Sequence, residues 1–289
     1  MSTPRPGATM VIGGTGWIGR ELAAQAARRG PVVIGSRRPA SPGTVRVTSQ
    51  DQLERTLHDH DVRLVVSCAG LIAGDEAALH AANSALPDLV GRACLARSVP
   101  LVHVGSAAEY GVPVRTLVAE TDPTSPVSSY GTSKLAGTQA LLDLSERGLD
   151  VVVARVFNVV GPDQPRTTPT GEFVEAVRAL PDADGVVTVR DASLVRDFVG
   201  LRWVAHALLA LGEVEDPPHV VNVCSGVGHS FHDVITALAD HRGVPVTIQS
   251  TSPGGIPRVV GDPSLLRRLV AGLPAESLED LAEQMLGSR

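Results

Sequence analysis

Seven residues near the start of the chain, Gly13-Gly14-Thr15-Gly16-Trp17-Ile18-Gly19, constrain the fold more than any other stretch. They follow a short apolar run at 9–12 and lead into 18–29, where Ile18, Leu22 and Ala26 recur at helical spacing until Gly30-Pro31 ends the pattern. Glycines at 13, 16 and 19 permit a tight turn and a close backbone approach to a pyrophosphate, which the free N–H groups and dipole of a helix N-terminus favour. A glycine turn alone would say little. The strand–loop–helix setting is what points to a dinucleotide.

Strand and helix signals alternate through the first half of the chain, the pattern of a parallel sheet covered by helices on both faces. Residues 32–35 and 45–47 read as strands, and the link 36–44, with Pro39, Pro42 and Gly43, is too short and broken for a crossover helix. The spacing then predicts a helix at 52–58, a strand at 64–67, one long helix at 75–98 containing Pro87, and a strand at 101–104. A helix at 129–147 and a strand at 151–156 follow. Beyond Gly161 the pattern loosens into a Pro/Thr-rich loop, a short helix at 172–180 and isolated short strands at 186–189 and 247–248. The fold class expected is therefore α/β, a Rossmann-type doubly wound parallel sheet with a small discontinuous C-terminal substrate lobe. Residues 1–160, rejoined by 196–224, would form the dinucleotide domain, and 161–195 with 225–289 the lobe.

The second strand ends Gly35-Ser36-Arg37-Arg38. NAD binders usually carry an acidic residue here for the ribose 2′-hydroxyl. Two guanidiniums and a hydroxyl instead suit a 2′-phosphate, because Arg pairs with phosphate in a forked, charge-assisted way. NADP(H) is the cofactor expected, the open alternative being that one or both arginines are solvated loop residues.

A second constellation lies at the end of the fifth strand. Ser106 stands where open α/β sheets place ligand contacts. Tyr130 and Lys134 are four apart on the following helix and so share a face. A neighbouring ammonium favours tyrosinate, making Tyr130 a usable acid/base near neutral pH. Lys134 is the only lysine among 25 basic side chains, and Tyr130 one of two tyrosines, so the pairing is not an accident of composition.

Composition excludes other classes. A net charge of -6 gives no basic field for nucleic acid, and no apolar run approaches the roughly 18 residues of a spanning helix. Cys68, Cys94 and Cys224 are far apart and form no CxxC pair, so they read as small buried hydrophobes of a cytoplasmic protein. The close histidine pairs, His58/His60 and His229/His232, lack the partners of a metal site.

Together, residues 13–19, the serine segment Val104-Gly105-Ser106-Ala107-Ala108-Glu109-Tyr110-Gly111, the stretch from Glu120 through Pro126 to Lys134, and Arg155-Val156-Phe157-Asn158 with Gly161-Pro162 resemble the extended short-chain dehydrogenase family. That family contains nucleotide-sugar epimerases, dehydratases and reductases. Arg196-Asp197-Phe198-Val199 resembles the family segment whose arginine contacts the nucleotide diphosphate. Val221–Gly226 and Gly261-Asp262-Pro263-Ser264 are most similar to reductases of nucleotide-linked 4-keto-6-deoxyhexoses, and the trimmed second unit resembles dTDP-4-dehydrorhamnose reductases. The resemblance implies catalysis by Ser106, Tyr130 and Lys134. It implies cofactor contacts at Gly13, Gly16, Trp17, Ile18, Gly19, Ser36, Arg37, Arg38, Ala69, Tyr130 and Lys134. Substrate contacts would fall at Ser106, Ala107, Asn158 and Arg196. In the implied reaction Ser106 holds a ketone, NADPH supplies hydride, Tyr130 gives the proton, and Lys134 holds the ribose and lowers the Tyr130 pKa.

The family's 4,6-dehydratases carry an acidic pair where Ala107 and Ala108 stand, and its epimerising reductases a cysteine at the place of Ala108, so simple reduction is expected. Two departures leave the nucleotide open. The family's Arg-x-x-Asp falls on Ser252 and Gly255, with Arg258 nearby, and a family aspartate appears as Trp203. A non-sugar natural-product ketone, 4-epimerisation and a non-catalytic NADP-sensing role are the alternatives. A homodimer through the helices 75–98 and 129–147 is also implied.

Overall fold

The computed structural model describes residues 7–36, 44–183 and 185–287. Its first half builds β1 (Ala8–Ile12), α1 (Trp17–Ala26), β2 (Val32–Ser36), β3 (Thr44–Arg46), α2 (Gln50–Asp59) and β4 (Val62–Ser67). After these come α3 (Glu76–His80), α4 (Leu86–Arg97), β5 (Leu101–Ser106), α5 (Ser129–Ser145) and β6 (Val151–Val156). The second half adds β7 (Asn158–Val160), α6 (Pro169–Arg178), β8 (Gly185–Val189), β9 (Val195–Gly200), α7 (Leu201–Leu211) and β10 (Val220–Val223). It ends with β11 (Gly228–Ser230), α8 (Phe231–Arg242), β12 (Val246–Ser250), β13 (Arg258–Val259), α9 (Ser264–Leu269) and α10 (Leu278–Leu286).

Seven strands form one sheet in the order β10-β6-β5-β4-β1-β2-β3, and every pairing in it is parallel. This is the Rossmann order extended by one strand. Side chains alternate between two faces, and both faces are covered. Val102, Val104, Val152 and Ala154 pack with α1 and α7, while Leu101, Val151 and Val153 pack with α2, α4 and α5. The β1/β4 switch point opens at the carboxyl ends of the strands, where the glycine loop and Ser106 both lie.

The long helix expected at 75–98 is interrupted. Between α3 and α4 the backbone widens into a π-helical turn, Ala81–Ala85. Pro87 has no N–H to give the carbonyl of Asn83, so the regular ladder cannot pass that point. The freed carbonyl lies against α5, where a Cβ at Gly137 would stand only 2.1 Å from it.

The strands expected to be isolated are partners. β8 and β12 pair in parallel from Gly185↔Val246 to Val189↔Ser250. They cover a separate core of α6, α8 and α10, with Phe173, Val177, Ile235 and Leu238 inside it. The stretch 196–224 divides between the layers. β9 joins a small sheet with β7, β11 and β13, whereas α7 and β10 belong to the large one. Part of the expected lobe also returns, since Leu266 and Val270 pack into the core beside α7. Among the described residues, no helix is long and apolar enough to cross a membrane.

Candidate active site

The glycine loop begins where β1 stops. Gly13 takes a left-handed φ of +85°, and its carbonyl accepts a hydrogen bond from Gly16 N at 2.8 Å. A Cβ at Gly13 would stand 2.7 Å from Ala69 N, and one at Gly19 would stand 2.1 Å from Gly13 O. Any side chain at either place would collapse the cradle. Gly16 caps α1 without a side chain, so no hydroxyl or carboxylate takes up the first amides of that helix. This is the geometry a pyrophosphate needs, and the residues present fit a dinucleotide. Ala69 lies against the loop beside Gly13. Trp17 and Ile18 are turned to other partners. The Trp17 indole donates to Pro162 O at 2.7 Å, and Ile18 packs on the core under α1. Ser36 ends β2, while Arg37 and Arg38 lie outside the described residues.

Ser106 is the last residue of β5 and caps the short 3-10 turn Ala107–Glu109. Its Oγ accepts from Ala108 N at 3.1 Å, which orients the hydroxyl and leaves its proton free to donate. The capping box is closed by Glu109, whose Oε1 accepts from Ser106 N at 2.8 Å. Ser128 caps α5 through Gly131 N, which sets Tyr130 in the first turn and Lys134 one turn further on.

A cavity of about 450 Å³ opens over this end of the sheet. Ser106, Ala107, Tyr130, Asn158 and Arg196, the expected contact residues, all line it, although they come from four separate segments. Its remaining walls are largely apolar, with Ile72, Val156, Phe157, Phe198, Phe231 and Val259 among them. Asn158 is held by its amide, which donates to Asp197 O at 2.9 Å. The Arg196 guanidinium stands 5.8 Å over the Phe231 ring, donates to Val195 O and makes no ion pair among the described residues. Arg258 is exposed, and neighbours Ile256 and Val259 face the cavity in its stead.

Lys134 is 4% exposed and sits behind the cavity wall, its Nζ donating to Val104 O at 2.5 Å. Burial pushes its pKa down to about 8, opposed by the negative charge of Glu109 and by Cys68. The net shift at Tyr130 runs opposite to the lowering expected from a neighbouring ammonium. Burial moves the phenol upward because phenolate loses hydration, the Ser106 hydroxyl pulls it back, and Glu109 adds to the rise. The ammonium is engaged by a backbone carbonyl.

Asn83, in the π-helical turn, was missed by sequence reasoning. It is fully buried, its Oδ1 accepting from Leu71 N and its Nδ2 donating to Leu71 O and Ser133 Oγ. It thereby ties the loop after β4 to α5 beside Lys134. The available signal was an asparagine, a poor helix former, four residues before a proline.

The model of the NAD dependent epimerase/dehydratase family matches residues 9–224. A dTDP-6-deoxy-L-talose 4-dehydrogenase (NAD(P)(+)) of Kitasatospora kifunensis is 34% identical over 260 residues, covering 84% of this chain and 81% of the relative. A dTDP-4-dehydrorhamnose reductase of Mycolicibacterium smegmatis is 32% identical over 197 residues, 66% of this chain and 54% of the relative. Among solved structures, the UDP-N-acetylglucosamine 4-epimerase of Methanobrevibacter ruminantium M1 shares the fold, with a TM-score of 0.84 at 22% identity over 98% of this chain and 97% of that one.

Proposed function

The chain belongs to the NAD-dependent epimerase/dehydratase family of extended short-chain dehydrogenases and is an NAD(P)-dependent oxidoreductase; on that premise we propose that it is an NADPH-dependent reductase of the 4-keto group of a nucleotide-linked 6-deoxyhexose. The observation that carries this reading is the meeting of Ser106 and Tyr130 at one cavity wall with the buried Lys134 behind them.

Gly13, Gly16, Gly19 and Ala69 would hold the cofactor pyrophosphate, and Lys134 the nicotinamide ribose. When bound, the reduced nicotinamide supplies hydride. Ser106 donates its hydroxyl proton in a hydrogen bond to the ketone oxygen. Tyr130 transfers its own proton to the alkoxide as it develops, and its elevated pKa keeps that proton in place at neutral pH. The Lys134 charge stabilises the tyrosinate left behind. Ala107 and Ala108 carry no proton-transfer group, which favours reduction over elimination.

Arg196, half-buried and without a carboxylate partner among the described residues, suits a nucleotide diphosphate, and Asn158 the sugar. The apolar walls favour a methyl over a hydroxymethyl at C6, because an unpaired buried hydroxyl is costly. L-rhamnose and 6-deoxy-L-talose differ only at C4, so the reactions named for the two relatives share one ketone. That ketone, dTDP-4-dehydrorhamnose, is the first substrate to try. NADPH consumption with it, within a panel of nucleotide-linked 4-keto sugars, is the expected result. Interconversion of C4 epimers without net consumption would instead establish an epimerase.

NADPH is expected to bind at least about tenfold better than NADH, since each charge-assisted contact from Arg37 or Arg38 to the 2′-phosphate is worth roughly 1.5–3 kcal/mol. Equal KM values for the two cofactors, or no change on replacing both arginines by alanine, would remove this assignment. The half-exposed Leu89 of α4 and Leu135, Ala136 and Leu142 of α5 form the face through which we propose a homodimer. Light scattering at micromolar concentration is expected to give twice the 30.0 kDa chain mass, and a monomer would contradict it.

A further inference from the structure

The strongest unassigned feature is a carboxylate behind the site. Glu109 is 0% exposed and has its oxygens fully engaged. Oε1 accepts from Ser106 N at 2.8 Å, and Oε2 accepts from Thr138 Oγ1 and from Arg155 Nε, both at 2.9 Å. These partners come from β5, α5 and β6, the three elements that hold the site. Thr138 lies one turn beyond Lys134 on the same face of α5. Gly105 makes room for the group, since a Cβ there would stand 2.9 Å from Oε1. Arg155 in turn lies 4.6 Å over the Tyr110 ring, whose hydroxyl donates to Asn222 Oδ1 at 2.7 Å, so the frame reaches β10.

We propose that Glu109 is a positioning residue of this site, fixing the Ser106 hydroxyl through the capping box and supplying the negative charge that faces Lys134. The proposal rests on the reductase reading for the role of those two residues. A Glu–Arg pair serving stability alone would need neither the bond to Ser106 nor the approach to Lys134. The titratable groups facing Lys134 are Cys68 from the end of β4, His103 from β5 and Glu109 from the 3-10 turn. His103 is buried and stays neutral, its pKa well below the ordinary value, and burial raises the Cys68 thiol to about 12. Glu109 is the one carboxylate among these groups and holds the Lys134 pKa up, so its removal must make the ammonium harder to keep.

The single lysine permits a direct test without substrate or cofactor. In protein made with isotope-labelled lysine, one side-chain NMR resonance reports Lys134 alone. In Glu109→Gln its titration midpoint is expected to fall by about one pH unit relative to wild type, the effect of losing a nearby charge in a partly desolvated site. An unmoved midpoint overturns the electrostatic role. If Glu109→Gln does not fold, the pair Glu109→Gln/Arg155→Gln, which leaves no orphaned buried charge, is titrated with the same expectation and the same overturning result. Glu109→Asp keeps the charge but is too short to reach Ser106 N. Its kcat for dTDP-4-dehydrorhamnose reduction is expected to drop about tenfold or more with the Lys134 midpoint held, and a wild-type kcat overturns the positioning role. Wild-type protein and Lys134→Met run beside it separate the two ideas, because no reduction by the wild type refutes the reductase reading, activity surviving in Lys134→Met refutes the catalytic role of Lys134, and the NMR result stands in either case.

Discussion

Lys134→Met is expected to lower kcat for ketone reduction by about 100-fold or more while the protein stays folded. The two halves of this expectation have separate causes. Lys134 is buried, and its pKa of about 8, down from 10.5, means that the folded site disfavours its charge. Replacing it with an apolar chain of similar length removes a desolvated ion and leaves Glu109 still paired with Arg155 at 2.9 Å, so stability is expected to hold or rise. Catalysis loses the cation that supports tyrosinate, an interaction that matters most as the proton leaves Tyr130. Lys134→Arg is expected to fail nearly as badly. A planar guanidinium cannot occupy the space of a compact ammonium on Val104 O, and it carries its charge over a wider fork. The pH profile gives a second reading. In the free enzyme kcat/KM for reduction is expected to fall above about pH 8, as Lys134 loses its proton, and Lys134→Met is expected to lose that limb. A Lys134→Arg enzyme with wild-type kcat would show that the lysine has no special role.

Gly19→Ala is expected to cost more than any other single methyl added to the glycine loop. The new Cβ would lie 2.1 Å from Gly13 O and 2.7 Å from Gly14 Cα, which are backbone atoms without a rotamer to yield. The loop must open or α1 must shift. Overpacking of this kind costs about 1–3 kcal/mol of stability, and the displaced amides no longer converge on a pyrophosphate. NADPH affinity is expected to drop about 100-fold, read by fluorescence titration, with a lower Tm. Gly16→Ala is the contrast, since its Cβ would meet only Gly13 O, at 3.2 Å, and a small adjustment accommodates it. A smaller fall in Tm is expected there. Equal Tm and affinity for Gly19→Ala and wild type would mean that the loop is not the rigid cradle described.

The parts legible in the sequence are those whose geometry is local. Glycine spacing between an apolar run and a helical pattern sets a loop within one turn of its neighbours. Tyr130 and Lys134 share a helix face because four residues make about one turn. The ends of β5 and β6 follow from runs of apolar side chains that only a sheet covered on both faces can bury. Cys94 and Cys224 are buried and all three cysteines are free thiols, as their spacing implied.

What escaped the sequence depends on register and on packing between distant segments. Nothing near Glu109 announces that its partners are Thr138 and Arg155, 29 and 46 residues away. That meeting needs the pairing of β5 with β6 and the seating of α5 on their surface, both set by the whole core. β8 and β12 looked isolated because their partners are each other, across an intervening stretch that holds β9, α7, β10, β11 and α8. The direction of the Tyr130 shift was misjudged for the same reason. Spacing reports that an ammonium is near, but desolvation depends on everything packed around the ring, and here burial outweighs the rest. The sequence by itself determined which groups stand at the ends of which strands, because backbone periodicity is a local property. Only the tertiary structure decided their charge states and partners, because hydration and long-range contact are properties of the assembled core.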